Sequence, residues 1–401
     1  MLELEAARAT ILAAIPSPES EVVPLLEAGG RVLAERIQSP INLPPFDNSV
    51  MDGYAVRAAE VGAANPEVPR RLRLIGRAAA GQAFGGEVTA GTCVRLFTGS
   101  PLPHGADAVV RQEDTRTEDN AAGDVLFLAP VRPAENVRRR GEDVQRGATL
   151  ATAGELLTIG RIGLLAAAGL ISVRAGRQPG VGLLATGSEL RDPGQPLEPG
   201  QIYESNRITL AALVRRAGGI PKVFPVVADT LAATRLALAE AFEQCDAVVT
   251  SGGVSVGDMD FIREAFQQLG GELVFWKVAI RPGRPFVFGR CGKKLWFGLP
   301  GNPVSAWVTF LLLVRPALLR WQGAVDVALP AHPGVLAEPL ANLEGRRHFM
   351  RVRVDASGQV RSAGMQAAHV LSSLAAANGL LDLAPGTTLA AGTPVRVMAC
   401  E

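Results

Sequence analysis

The chain is organised around residues 245–258, which read CDAVVTSGGVSVGD. Val248 and Val249 are apolar and β-branched, which is typical of a parallel strand covered on both faces. The paired glycines that follow let the backbone turn sharply and expose its N–H groups, and a helix predicted to begin near Asp258 adds positive potential. The stretch therefore predicts a strand, an anion-binding loop and a helix. A single Gly-Gly pair taken alone is better explained as a tight turn.

Two similar junctions lie elsewhere in the chain. Residues 184–190 read LATGSEL, and residues 298–305 read GLPGNPVS, in which a proline suits the first turn of a helix. Ligands of open parallel sheets bind outside the carboxyl ends of the strands, so the three loops predict one pocket for a phosphorylated or nucleotide-bearing ligand. None of them matches a Walker loop or a G-x-G-x-x-G fingerprint, which weakens an NTPase or dinucleotide-binding interpretation.

Composition restricts the class of protein. At 401 residues the chain is long enough for two to four domains, and its net charge of +1 argues against a general nucleic-acid binder. The first five residues, MLELE, are acidic where a secretory signal is positive, and the longest solid apolar run, 306–314, is too short to span a bilayer. The four cysteines are isolated, without a C-x-x-C pair. We expect a soluble cytoplasmic protein with no nucleic-acid or membrane partner.

Hydrophobic periodicity changes along the chain and predicts a multidomain α/β fold. Helical patterns occupy residues 2–15 and 21–37, short β-like runs follow, and strands alternate with helices from residue 181 to 321. The predicted architecture is a central doubly wound, mostly parallel sheet with a β-rich inserted domain, a helical N-terminal domain and a C-terminal β-barrel. The predicted boundaries are 1–39 with 144–177 for the discontinuous N-terminal domain, 40–143 for the β-rich insertion, 178–324 for the α/β domain and 325–401 for the barrel.

Acidic side chains lie on or beside the three loops. Glu189, Asp229 and Asp258 could hold Mg²⁺ against a ligand phosphate, because hard cations prefer carboxylate and phosphate oxygens. Each of them taken singly is equally well explained as a helix N-cap. The metal site and the caps are therefore both open from the sequence.

A cationic turn lies at residues 277–285, which read KVAIRPGRP. Three cations on a stiff Pro-Gly turn could bind an oxyanion, and a solvated surface turn is the competing interpretation. Residue chemistry alone thus predicts a multidomain α/β enzyme that handles a phosphorylated or nucleotide ligand with a divalent cation.

A set of motifs in fixed order extends this interpretation. The chain resembles the molybdopterin molybdenumtransferases, the MoeA and gephyrin E-domain family. The resemblance covers nearly the whole chain and rests on these segments: 45–49 PFDNS, 51–55 MDGYA, 98–99 TG, 138–143 RRRGED, 186–190 TGSEL, 251–257 SGGVSVG, 275–277 FWK, 282–283 PG and 299–305 LPGNPVS.

The resemblance implies an elongated, four-domain homodimer and a defined reaction. Adenylylated molybdopterin and molybdate would give molybdenum cofactor and AMP, assisted by Mg²⁺. The implied protein partners are a molybdopterin adenylyltransferase and the molybdoenzymes that receive the product. This scheme agrees with the residue chemistry, because the dithiolene sulfurs come from the ligand and the protein needs no cysteine ligands.

The resemblance also implies roles for individual residues. Glu189, Asp229 and Asp258 would lie near the cation and the nucleotide, and Lys277, Arg281, Pro300 and Pro303 would form the molybdate and pterin site. Asp52, Thr98 and Asp143 would reach a pocket across the dimer interface, and Arg351 and Ser372 would contribute from the C-terminal domain. The pterin and nucleotide would be bound by Thr186, Gly187, Ser188, Ser251, Gly252, Gly253, Ser255, Gly301 and Asn302.

The chain departs from the family pattern at a few positions. Arg281 and Arg284 replace common lysines, and His348 replaces a common acidic residue. Residues 366–369, QAAH, lack the usual Gly-Ser before the histidine, which bears mainly on the role of the C-terminal domain. Two other functions fit the chain less well. A molybdopterin adenylyltransferase would normally lack the β-rich insertion and the barrel, and a scaffold or cofactor carrier would be expected to have further modules.

Overall fold

A computed structural model describes residues 1–118, 123–253 and 261–400. The chain forms two compact units. The larger unit comprises Met1–Glu35, Ala153–Thr158 and Ser172–Glu401, and the smaller unit comprises Arg36–Thr152 and Ile159–Ile171. The fold is described unit by unit.

The helices are short, apart from one long segment near residue 310. Their bounds are α1 (Leu4–Ala13), α2 (Ala58–Val61), α3 (Ile159–Ala167), α4 (Asn206–Arg216), α5 (Leu231–Gln244), α6 (Ile262–Gln268), α7 (Pro303–Thr309), α8 (Arg315–Trp321) and α9 (Leu371–Ala376). Single 3₁₀ turns lie at Leu25–Glu27 and Gln112–Asp114, and a π-helical turn at Phe310–Val314.

The strands of the first half of the chain are β1 (Ser20–Pro24), β2 (Ile37–Gln38), β3 (Asn48–Ser49), β4 (Gly53–Val56), β5 (Arg70–Ala78), β6 (Thr92–Leu96), β7 (Ala108–Arg111), β8 (Thr115–Thr117), β9 (Asp124–Phe127), β10 (Val137–Arg138), β11 (Thr149–Ala151), β12 (Ser172–Gly176) and β13 (Gly180–Ala185). Those of the second half are β14 (Leu190–Arg191), β15 (Ile202–Tyr203), β16 (Ile220–Val223), β17 (Ala247–Ser251), β18 (Glu272–Trp276), β19 (Ile280–Arg281), β20 (Val287–Cys291), β21 (Lys294–Leu299), β22 (Ala331–Leu336), β23 (Leu340–Asn342), β24 (Arg347–Val354), β25 (Gln359–Ser362), β26 (Gly379–Leu383), β27 (Thr387–Leu389) and β28 (Pro394–Ala399).

The smaller unit is built on a six-stranded sheet in the order β7-β4-β6-β5-β9-β8. Its β5–β6 pair is parallel and the other ladders are antiparallel. Tyr54 and Phe127 meet edge to face at 5.9 Å in the core on one side of this sheet. The β-rich character predicted for residues 46–143 agrees with this sheet.

The helix predicted for residues 21–37 is wrong. This segment contains β1, which pairs antiparallel with β12 so that Val23 lies opposite Val173. The physical reason is local, because Pro24 and the Gly29-Gly30 pair disfavour a helix interior and the valines before them suit a pleated strand. The predicted N-terminal helix is present as α1, whose Leu4, Ala7 and Ile11 are buried.

The larger unit contains a second six-stranded sheet in the order β16-β13-β17-β21-β20-β18. The first four strands are mutually parallel, and β20 and β18 continue the sheet antiparallel. Helices cover both faces, since Val249 packs in a cluster with Leu210 and Phe310 while Val248 packs in another with Phe266. Every residue of β17 is buried, as the β-branched run predicts.

One helical segment of this unit, Pro303–Trp321, is long and apolar enough to cross a membrane by its length and composition. Its most apolar stretch is 89 % buried inside the protein, which is the environment of a core helix. The π-helical turn lies in its middle, where all five residues are buried. This segment therefore supplies much of one face of the central core.

The C-terminal part of the larger unit is a strand ring. The strands pair in the order β24-β25-β22-β28-β26, and a further β24–β26 ladder closes the ring. Strand β19, from the α/β part of the chain, pairs with β24. The protein is thus a multidomain α/β protein, as the sequence predicts, while its division into four domains stays a prediction.

Candidate functional site

The three loops predicted from the sequence start at one edge of the central sheet. In the register of the parallel strands, Ala185 lies opposite Ser251, and Ser251 lies opposite Leu299. The strands β13, β17 and β21 therefore end side by side. Their following loops leave the sheet at the same place, which is where open parallel sheets bind ligands.

A cavity of about 740 Å³ lies at this edge. It is lined by residues from all three loops and from two further segments: Ala185, Thr186, Gly187, Glu189, Leu190, Ile202, Tyr203, Glu204, Ser205, Asn206, Asp229, Ser251, Gly252, Gly253, Gly301, Asn302, Pro303, His369 and Leu371. Its size is within the range of small-molecule sites. The cavity is the candidate active site.

The floor of the cavity depends on the Gly-Gly pair. Gly252 and Gly253 have φ angles of +89° and +64°, in the left-handed region that favours glycine. A Cβ at Gly253 would lie 2.5 Å from Cδ1 of Ile262. Of the residues predicted nearby, Ser255 and Asp258 lie outside the described residues, and the described part of the following helix, α6, begins at Ile262.

Two of the predicted carboxylates line this cavity. The backbone N–H of Ser188 donates to Oδ2 of Asp229 at 2.8 Å, which ties the loop after β13 to the segment before α5. Asp229 is not the N-cap of α5, because Thr230 holds that position and accepts from the Ala233 N–H. Glu189 precedes the short strand β14 and caps no helix. The N-cap interpretation is therefore wrong for both carboxylates.

Glycine is required next to Glu189. A Cβ at Gly187 would lie 2.6 Å from Oε2 of Glu189 and 2.8 Å from Cγ of Leu190. A larger residue at this position would displace the carboxylate from the cavity wall. Ser188, predicted to bind the ligand, lies outside the cavity, and its backbone serves as the hydrogen-bond donor to Asp229.

One wall of the cavity was not predicted from the sequence. Residues 202–206, IYESN, lie in it, and they run from β15 to the first residue of α4. Behind them, Arg207 is buried and donates through Nε to Oε2 of Glu204 at 2.9 Å, and through Nη2 to Asp192. Oε1 of Glu204 accepts the backbone N–H of Arg207 at 3.0 Å. This ion pair fixes the wall to the start of α4.

The C-terminal part of the chain also contributes to the cavity, through His369 and Leu371. Arg351 is fully buried and does not line the cavity, since its guanidinium donates to Ser373 Oγ at 2.9 Å and to the carbonyl of Met365 at 2.7 Å. Burial lowers the pKa of Arg351 to about 10, which leaves it charged at neutral pH. Arg351 therefore holds the loop that carries His369, and Ser372 is exposed beside it.

The cationic turn, residues 277–285, does not line the cavity. Nζ of Lys277 lies 3.7 Å from the centre of the Trp276 ring. Arg281 forms an ion pair with Glu344 at 2.6 Å. Pro300 is buried, whereas Pro303 lines the cavity. The solvated-turn interpretation thus fits Arg281 only in part, because its charge is already paired.

Three predicted site residues lie in the smaller unit. The backbone N–H and the hydroxyl of Thr98 both donate to Oδ1 of Asp52, at 2.8 and 2.9 Å, and these two bonds lower the pKa of Asp52. Asp143 is exposed, and its backbone N–H donates to the Leu43 carbonyl. The structure joins Asp52 to Thr98 directly, and it shows no such bond from either to Asp143 among the residues it describes.

A buried histidine lies beside the cationic turn. His348 pairs with Arg281 in the β19–β24 ladder, and both of its ring nitrogens are buried without a hydrogen-bond partner among the described residues. Burial, and then the charges of Arg281, Arg351 and Arg346, lower the pKa of His348 to about 4. His348 is thus held neutral in the folded protein.

The burial of neutral His348 predicts that the folded protein becomes less stable as the pH falls. Between pH 6.5 and 4 the unfolded chain protonates His348 and the folded chain does not, so stability is present above pH 6.5 and is lost as the pH falls to 4. Between pH 7.5 and 4, the free energy of unfolding of wild type should fall by roughly 3 kcal/mol more than that of His348→Leu. Urea unfolding at each pH measures both values. His104→Leu removes an exposed histidine instead, and this matched control should lose as much stability between the two pH values as wild type does. Equal pH profiles for wild type and His348→Leu would contradict the prediction.

Models of known protein families match three consecutive regions of the chain. Residues 2–169 match the MoeA N-terminal region (domain I and II), residues 182–320 a probable molybdopterin binding domain, and residues 333–400 the MoeA C-terminal region (domain IV). The relatives that these regions share place the chain among the enzymes, as a transferase of molybdenum cofactor biosynthesis.

Individual relatives narrow this class further. The chain is 38 % identical to the molybdopterin molybdenumtransferase of Haemophilus influenzae over 389 residues, 96 % of this chain and 94 % of that protein. It is 40 % identical to molybdopterin molybdenumtransferase 2 of Mycobacterium tuberculosis over 382 residues, 94 % of each. A crystal structure of the molybdopterin biosynthesis MoeA protein of Pyrococcus horikoshii matches all of both chains with a TM-score of 0.83 and 32 % identity. The chain belongs to the molybdopterin molybdenumtransferase family.

Proposed function

We propose that this protein inserts molybdenum from molybdate into adenylylated molybdopterin, forming molybdenum cofactor and releasing AMP. The observation that carries the proposal is the cavity at the ends of β13, β17 and β21. It combines backbone turns and hydroxyls suited to phosphate with the carboxylates of Glu189 and Asp229. None of the four cysteines lines it, which fits a ligand that brings its own sulfurs.

Mg²⁺ fits the donor groups of this cavity. Glu189 and Asp229 offer carboxylate oxygens, and one oxygen of Asp229 accepts the Ser188 N–H, which orients that carboxylate. The described residues contain no group of three His, Cys, Asp or Glu that could hold a metal alone. Mg²⁺ commonly uses one or two protein carboxylates with substrate phosphates and water, so two suffice. When bound, it would neutralise phosphate charge as the bond to AMP breaks, with Asp258 as a further proposed ligand.

The molybdate site is proposed near the cationic turn. Lys277 forms no ion pair with the described residues, which supports a role for its charge in oxyanion binding. Arg281 would have to share its charge with Glu344. Arg351 is proposed to act through the loop it holds, because its own guanidinium is buried. Pro300 and Pro303 would stiffen the adjoining loop, and Ser372 would contribute from the exposed start of α9.

A homodimer is part of the proposal. Val22, Leu26 and Leu156 of the larger unit are 63 %, 97 % and 50 % exposed, and a dimer interface would bury apolar side chains of this kind. Asp52, Thr98 and Asp143 are proposed to serve the site of the partner subunit. A cytoplasmic location, a molybdopterin adenylyltransferase as supplier and molybdoenzymes as recipients complete the proposal.

The proposal predicts a cofactor-forming activity that depends on the cation. Purified protein incubated with adenylylated molybdopterin, molybdate and Mg²⁺ should form molybdenum cofactor, measured by reconstitution of a molybdoenzyme that lacks it. Adding EDTA should lower the initial rate at least about 10-fold, because without Mg²⁺ the phosphate charge is no longer neutralised. Excess Mg²⁺ should restore the rate. Cofactor formation at the same rate with EDTA would contradict the role of the cation, and no cofactor under any condition would contradict the function.

A further inference from the structure

Asn206, in the cavity wall, hydrogen-bonds two other segments that line the cavity. It is the first residue of α4, and its side-chain amide donates two hydrogen bonds through Nδ2. One goes to Oγ of Ser251 at 2.6 Å and the other to the carbonyl of Gly301 at 2.7 Å. These acceptors belong to two different loops of the cavity. A neutral side-chain amide supplies two donor protons from one nitrogen, so a single residue satisfies both loops without adding charge.

The two loops meet closely at this point. The backbone N–H of Gly252 donates to the Leu299 carbonyl at 3.1 Å. A Cβ at Gly301 would lie 3.5 Å from Cα of Gly252, which is ordinary van der Waals contact. A backbone hydrogen bond therefore joins the two loops, and Asn206 is the one side chain among the described residues that hydrogen-bonds both of them.

The bond to Ser251 occupies one acceptor position of the hydroxyl oxygen and so limits where the hydroxyl proton can point. Ser251 is 3 % exposed, lines the cavity and accepts from Asn206. A serine hydroxyl has one proton, and when its oxygen accepts a hydrogen bond that proton remains free to donate. Within the described part of the chain the Ser251 hydroxyl donates to no other group. Its proton is thus available to an oxygen of a bound ligand.

We propose that Asn206 is a positioning residue for phosphate binding: by donating to Ser251 and Gly301 it directs the Ser251 hydroxyl proton at the ligand phosphate. The identity of that ligand, adenylylated molybdopterin, rests on the proposed function. Asn206 acts through Ser251, so the affinity effect of losing Asn206 must depend on whether Ser251 is present.

Isothermal titration with adenylylated molybdopterin tests this dependence. We expect Asn206→Ala and Ser251→Ala each to weaken binding about 10-fold, the loss of one good hydrogen bond to an anion. The double variant should be within about 2-fold of Ser251→Ala, because the Ser251 proton is then already lost. Asn206→Asp should weaken binding more than Asn206→Ala, since the carboxylate attracts the Ser251 proton and repels phosphate.

The outcomes separate this inference from the proposed function. Binding by Asn206→Ala at wild-type strength, or losses that multiply in the double variant, would overturn the positioning role. Should Asn206→Ala not fold, a Ser251→Ala variant that binds like wild type would overturn it equally. Binding by wild type without any turnover would overturn the proposed function while the coupling still decides the positioning role. No binding by wild type would overturn both.

Discussion

Replacing Glu189 with Gln should lower the rate of AMP release by at least about 100-fold, the usual cost of removing one charge that stabilises a transition state. Glu189 lines the cavity, and a Cβ on Gly187 would lie 2.6 Å from its Oε2. The amide keeps the shape of the side chain but cannot hold a cation as a carboxylate does. Single-turnover AMP release measures the effect, and thermal unfolding checks the fold.

A matched control comes from the same segment. Glu198 is exposed and lies outside the cavity, so Glu198→Gln makes the same charge change without touching the site. It should release AMP at the wild-type rate. Equal rates for Glu189→Gln and wild type would show that the carboxylate is not part of the reaction.

The second large effect is on stability. Arg207→Leu should lower the free energy of unfolding by about 3–5 kcal/mol, because it leaves the Glu204 carboxylate buried without its cation. Glu204 and Arg207 are only 3 % and 4 % exposed, and they are joined by two hydrogen bonds. Urea unfolding at neutral pH measures the change. Arg207→Leu should also reduce ligand affinity, since the Glu204–Arg207 ion pair holds one wall of the cavity.

Two further variants test the cause of that loss. Arg207→Leu combined with Glu204→Leu removes both charges and should recover most of the stability, as buried ion pairs replaced by apolar groups often do. Arg215→Leu changes an exposed arginine of the same helix and should cost under about 1 kcal/mol. A double variant as unstable as Arg207→Leu alone would mean that the lost stability comes from packing and not from an unpaired charge.

The sequence predicted the central fold well where local signals are strong. The alternation of strands and helices predicted for residues 181–321 is present, and the strand predicted around Val248 and Val249 is β17. Long apolar runs and amphipathic periods mark elements of this kind in the local sequence. The three loops were also predictable, because glycines and prolines mark strand ends and parallel strands end at a common edge.

Other parts of the site depend on contacts that no local pattern contains. The wall at 202–206 begins with β15, a two-residue strand that pairs with the equally short β14, and strands this short carry no periodicity. Asn206 has the signature of a residue at a helix start, and only the folded chain shows that its amide bonds two distant loops. In the same way, the pairing of Arg281 with Glu344 and the burial of Arg351 follow from the barrel packing. One feature of the sequence could have indicated this wall. It is a short segment between predicted elements that contains both apolar and polar side chains.

The most direct test of the central claim is a single-turnover measurement of AMP. Wild-type protein in excess over adenylylated molybdopterin, with Mg²⁺, should release one equivalent of AMP when molybdate is added and far less without it. The released AMP should match the cofactor formed mole for mole. AMP release that is independent of molybdate, or cofactor formation without AMP, would contradict the claim that this cavity couples the two steps.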